Sequence, residues 1–169
     1  MMKWETEPNE GAWVDEATGL ECRITRHQRM KHLCGYVRIP NDHPLHGKTD
    51  RDEIPRPAGF ETRAMDDRVG ILPFFAFALS GGLDGDTIPI AVALSVHGGI
   101  TFSAPIDGEG WWMGFDCSHC DDFVPGSAAF CEEHGLGTPG GVYRTWEYVE
   151  RECRHLAGQI AMMVEVPDA

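Results

Sequence analysis

A chain of 169 residues, with 42% apolar and 24% charged side chains, has the size and composition of one globular domain; this excludes an extended disordered chain and a coiled coil. Asp and Glu number 27 against 14 Lys and Arg, and the net charge of −13 argues against unspecific binding to nucleic acid or an anionic membrane, where basic residues must displace counterions. Metal ions, small molecules and basic protein partners remain open.

The N-terminal stretch Met1-Met2-Lys3-Trp4-Glu5-Thr6-Glu7-Pro8 is polar and lacks the apolar centre of a signal peptide. The most apolar run, residues 71–79, is half the length needed to cross a bilayer and is interrupted by Pro73. A cytoplasmic protein is expected, with its six Cys as thiols, thiolates or metal ligands and not as disulfides.

Residues 12–15 and 20–26 flank Glu16-Ala17-Thr18-Gly19, predicting a hairpin with Gly19 at positive φ. Residues 33–39 form a third predicted strand, ended by Pro40, and a loop rich in Pro, His and Asp follows to residue 57. A helix is expected over 61–69 and a turn over 80–86, inside an insertion at about 52–87 of a single domain spanning 1–169. Residues 88–96 are nearly all apolar, as in a strand covered on both faces, and 97–103 read as its continuation or partner. An aromatic strand at 111–117 leads into a Gly-, Cys- and acid-rich loop reaching residue 141. The last predicted element is a helix over 142–162, with Tyr143, Trp146, Val149, Cys153, Leu156 and Ile160 in one apolar stripe. Glu147 with Arg151, and Glu150 with Arg154, are spaced as ion pairs on its wet side. The fold class is α+β: a mostly antiparallel sheet with one long C-terminal amphipathic helix packed on it.

Ligand-type residues gather at two strand ends. In His97-Gly98-Gly99 the glycines allow close backbone approach to a ligand or N–H groups aimed at an anion; the plain alternative is a bulge beside a core histidine. The second strand end is Asp116-Cys117-Ser118-His119-Cys120-Asp121-Asp122, where so many polar groups make a poor core. Here spacing admits three chemistries. Cys117-x-x-Cys120 followed after ten residues by Cys131-x-x-His134 suits a closed structural zinc site. Cys117 as nucleophile would use His97 or His119 as base and Asp116 or Asp122 to orient it, although surrounding acids raise a thiol pKa. His97, His119, Asp116 and Asp122 together suit a catalytic zinc or other divalent ion with a position open for water. Trp111-Trp112 reads as core packing, His43 and His46 as solvated loop residues, and Asp50, Asp52, Glu53, Asp66 and Asp67 as a solvated face or a surface for a basic partner. No nucleotide or flavin fingerprint, GxSxG elbow, HExxH or EF-hand spacing is present.

Several segments resemble a family of small bacteriophage and prophage proteins. They are Leu33-Cys34-Gly35-Tyr36-Val37, His43-Pro44-Leu45-His46-Gly47-Lys48, His97-Gly98-Gly99-Ile100-Thr101-Phe102-Ser103, the run Trp111-Trp112-Met113-Gly114-Phe115-Asp116-Cys117-Ser118-His119 with Asp122, and residues 143–156 with Tyr148-Val149-Glu150 at their centre. The resemblance covers about half the chain and supplies a setting, the host cytoplasm, but no reaction. It implies that His97, Gly98, Gly99, Asp116, Cys117, His119 and Asp122 matter, and it leaves out Cys120, Cys131 and His134. The function expected is a phage-type enzyme, a metal-assisted hydrolase of a small-molecule or nucleotide-like substrate. The alternative is a non-catalytic accessory or anti-defence protein that binds a basic host protein or sequesters a host signalling molecule.

Overall fold

The computed structural model describes residues 3–56 and 85–163. After a short helix α1 (Lys3–Thr6), β1 (Glu10–Val14) and β2 (Glu21–Arg26) form the expected hairpin, with Gly19 at φ 73°. β3 (Leu33–Ile39) follows at its predicted bounds. β4 (Glu53–Pro55) and β5 (Thr87–Pro89) pair as a separate two-stranded ribbon. β6 (Phe102–Ile106) and β7 (Glu109–Asp116) complete a five-stranded antiparallel sheet in the order β1-β2-β3-β7-β6. Asp107 (φ 55°) and Gly108 (φ 75°) make the two-residue β6–β7 turn, the left-handed pair that matches strand twist. The Asp-Gly pair is the sequence signal for this turn.

Three expectations need correction. The apolar run at 88–96 is buried, but only its start is strand: Pro89 ends β5, and Ile90–Ala93 turn into a short helix, α2. An uninterrupted apolar run reports burial and cannot by itself separate strand from helix. The loop before residue 141 contains a helix, α3 (Pro125–Glu133), begun by Pro125, whose missing N–H and fixed φ suit the first turn. The last helix, α4 (Trp146–Met162), starts later than expected because Thr145 caps it, its Oγ1 accepting the Tyr148 N–H at 3.3 Å. Tyr143 therefore lies outside the helix. The predicted helix at 61–69, the apolar run at 71–79 and most of the insertion fall outside the described residues.

α4 packs on β2 and β3, burying Val149, Cys153, Leu156, Ala157 and Ile160 in one core with Cys22, Ile24, Val37 and Ile39. Each aliphatic side chain so buried stabilises the fold by about 1.5–3 kcal/mol. Gly35 makes the close approach possible: a Cβ there would stand 2.6 Å from Cys153 Sγ and from the Phe115 ring. The helix also turns polar groups inward. Gln159 accepts the Ser95 N–H at 2.8 Å and donates to the Ser95 carbonyl at 2.7 Å, holding the chain after α2 against α4.

Candidate functional site

β7 ends at Asp116, and a tight turn reverses the chain: Ser118 donates its N–H (3.0 Å) and its hydroxyl (2.6 Å) to Asp116 Oδ1. The next turn is closed by the Asp122 N–H on the His119 carbonyl, 3.0 Å, and carries the Asp122 carboxylate into the interior. Asp122 also bridges to Val142 in parallel, which brings the approach to α4, and with it Arg144, alongside.

Four groups converge on Asp122. Its Oδ2 lies 2.8 Å from His97 Nε2, accepts the His119 N–H at 3.0 Å and stands 3.6 Å from His119 Nδ1. Its Oδ1 accepts Arg144 Nε at 2.7 Å. Burial alone would raise this carboxyl, but the hydrogen bonds from His119, His97 and Arg144 outweigh it and hold the group far below the usual carboxylate range. Asp122 is an anion at any ordinary pH.

α4 supplies the other half of the support. Tyr148 Oη is 2.9 Å from His97 Nδ1, and Glu152, one turn on, accepts the His97 backbone N–H at 3.1 Å. Both nitrogens of the His97 ring are thereby fixed in direction. The His119 ring stands edge-on to His97 with centroids 5.3 Å apart. Gly98, at φ 67°, leaves room for that ring, since a Cβ there would run into it. His119 Nδ1 is buried without a hydrogen-bond partner, and the nearby Asp122 carboxylate raises its pKa above the ordinary imidazole value while burial opposes this. A buried nitrogen 3.6 Å from that carboxylate and short of a hydrogen bond is a donor that a cation could use.

His97, His119 and Asp122 form a group that can hold a metal ion, their ligand atoms lying within 4.8 Å of one another. Two imidazoles and a carboxylate are a donor set suited to zinc and related divalent ions with positions left open. Among the described residues this is the one such group of three or more His, Cys, Asp or Glu side chains.

The other candidates fare differently. The closed shell of Cys117, Cys120, Cys131 and His134 is not assembled. Cys117 turns inward from the end of β7, Cys120 is exposed, Cys131 belongs to α3, and His134 stacks on Phe130 at 4.1 Å with its Nδ1 on the Phe130 carbonyl. Helix formation through 125–133 is the physical reason, because the expected spacing assumed ligands on turns. Cys117 is also unsuited to attack: it is 2% exposed, and burial, then the charges of Asp122, Cys34 and Asp116, push its thiol well above the ordinary value. Gly99 donates its N–H to the Val96 carbonyl at 2.9 Å, so that group is committed within the turn and not aimed at an anion. Asp116 lies outside the three-residue group; burial raises its carboxyl, but Ser118 and Thr101 outweigh this and lower it. His43 is no solvated loop residue: buried, it accepts the Leu45 N–H at Nδ1 and sets Nε2 3.0 Å from the Ile160 carbonyl.

Sequence reasoning missed Arg144, Tyr148 and Glu152 as site residues. A signal existed: Tyr148, Glu152 and Gln159 recur at helical spacing, a polar line beside the apolar stripe. Comparison of the chain with protein-family models, curated proteins and solved structures finds no match. The fold and site define an α+β protein with a His-His-Asp group, buried at His97 and Asp122 and half-buried at His119, supported by Arg144 and Tyr148. No helix among the described residues is long and apolar enough to cross a membrane.

Proposed function

We propose that the chain is a metal-dependent hydrolase centred on His97, His119 and Asp122. The observation that carries this reading is that His97, His119 and Asp122 bring one ligand atom each to within 4.8 Å of one another, with His119 Nδ1 left without a hydrogen bond. A divalent ion there, zinc by the chemistry of the donor set, would act as Lewis acid and activate water at an open position. Arg144 on Asp122 Oδ1 and Tyr148 on His97 Nδ1 are the outer contacts that keep such ligands in orientation. The resemblance to phage proteins supports a host-cell setting for the activity.

The test is metal analysis of protein purified without added metal, paired with chelator-sensitive hydrolysis of activated p-nitrophenyl esters. One equivalent of divalent ion, lost in His119→Ala and retained in Cys131→Ala, is the expected result. An ion retained in His119→Ala, or no ion after incubation with zinc and manganese salts, overturns the reading. Stoichiometric ion without hydrolysis of any ester makes the site a binder and not an enzyme.

A further inference from the structure

Two guanidinium groups stand on the Tyr148 ring beside the candidate metal group. Arg144 spends only Nε on Asp122, and its Nη groups have no hydrogen bond to any described residue. Its guanidinium carbon lies 5.0 Å from the centre of the Tyr148 ring, and that of Arg151 lies 5.2 Å from the same centre. Arg151 is exposed, and the ion pair with Glu147 that its spacing predicts is not formed; among the described residues no carboxylate is within ion-pair distance of it. The contrast one turn away is direct, since Glu150 and Arg154 on the same helix do pair, at 2.8 Å. Arg23, Arg26 and Arg38 likewise hold carboxylates. In a chain with nearly two acids for each base, Arg151 is an arginine with no acid partner among the described residues, set on the ring that also carries Arg144. A bound anion would supply the partner that the described residues do not.

The tyrosine ring fixes where that anion sits. Its hydroxyl end touches His97, while the ring carries the two guanidiniums. One ring therefore joins the ligand group to a cationic rim. We propose that Arg144 and Arg151 form a phosphate-binding rim beside the His97, His119 and Asp122 group, and that the substrate is a phosphate ester. This rests on the hydrolase reading above. Two planar forks offer more donors than a carboxylate can accept, whereas a phosphoryl group presents three oxygens and close to two negative charges. The acidity of the molecule as a whole repels such a substrate, so the attraction has to be local. The reaction would balance as simple hydrolysis: water, activated by an ion if one is held there, would bond through its oxygen to phosphorus, the P–O bond to the alcohol would break, and the alcohol would leave with the proton the water gives up.

The experiment is calorimetric titration of inorganic phosphate into ion-loaded wild type and Arg151→Gln, with acetate as the carboxylate control and the ion content of each sample measured. Arg151→Gln is expected to keep its ion and bind phosphate about tenfold more weakly, with acetate binding neither protein appreciably. Equal phosphate affinity in the two proteins, or acetate binding as tightly as phosphate, overturns the proposal. If wild type holds no ion, the hydrolase reading fails separately. The same titration on ion-free protein then decides the rim alone: weaker phosphate binding in Arg151→Gln keeps it, and unchanged binding removes it.

Discussion

Cys22, Cys34, Cys117 and Cys153 are buried, and lost hydration is the main reason each thiol is raised, Cys34 to about 11 and Cys22 to about 12. Only Cys120 is exposed, with Cys131 intermediate. Titration of the native protein with a disulfide reagent should therefore show one fast thiol, removed by Cys120→Ser, and a slower Cys131, with all six reacting after denaturation. A rapid third thiol in the native state would contradict the burial. The residue types at the site were legible in the sequence: His97, His119 and Asp122 were singled out by their place at strand ends. Their partition was not. Whether Cys117 or Asp116 joins them depends on which way β7 turns each side chain as it ends, and spacing alone carries no such information.

At the scale of elements, α4 does two tasks with two faces. Its apolar stripe makes the core, and its polar line of Tyr148, Glu152 and Gln159 holds the segment that carries His97. The stripe was legible because 3.6-residue periodicity follows directly from burying one side of a helix. The spacing of the polar line is visible in the sequence, but its partners, the Ser95 and His97 backbone and the His97 ring, are not. Replacing Gln159 by Met, close in shape, strands the Ser95 N–H and carbonyl in the interior at about 1–3 kcal/mol for each unpaired group. Chemical denaturation of Gln159→Met should show that loss, and bound ion should weaken with it, because His97 follows two residues later. Unchanged stability would mean that Gln159 only fills space. The β2, β3 and α4 elements were predicted well for the same reason, regular alternation or periodicity. Residues 90–100 and 125–133, on either side of the β6–β7 hairpin, were predicted worst, because a short helix with a glycine turn and a Pro-started helix carry no repeating pattern.

Across the whole molecule, the two ends of the described chain are locked together. Glu7 accepts from Tyr143 Oη at 2.6 Å, from the Trp146 N–H at 3.1 Å and from Arg26 at 3.3 Å. Burial and then the Glu7 hydrogen bond raise the Tyr143 pKa from 10.0 to about 12. The sign follows: a raised folded-state value means the folded protein holds the proton more tightly, so this contribution is complete below pH 10 and is lost as pH rises toward 12. Following phenolate absorbance with pH should show Tyr143 silent near pH 10, and Glu7→Gln should let it ionise earlier. Ionisation at the ordinary value in wild type would refute the lock.

The same lock has a consequence for the order in which the molecule comes together. Trp146, the first residue of α4, is capped by a carboxylate 139 positions earlier, and only beyond that helix start does the chain provide Tyr148 to orient His97. The β1–β2–β3 meander is built from near neighbours and can form early, whereas the His97, His119 and Asp122 group and its supports draw on distant parts of the chain. A ribosome has therefore delivered nearly the whole described chain before the site can exist. Capture of an ion by the proposed site would then be a late event in folding, and a chain stalled before α4 would lack the residues that orient His97.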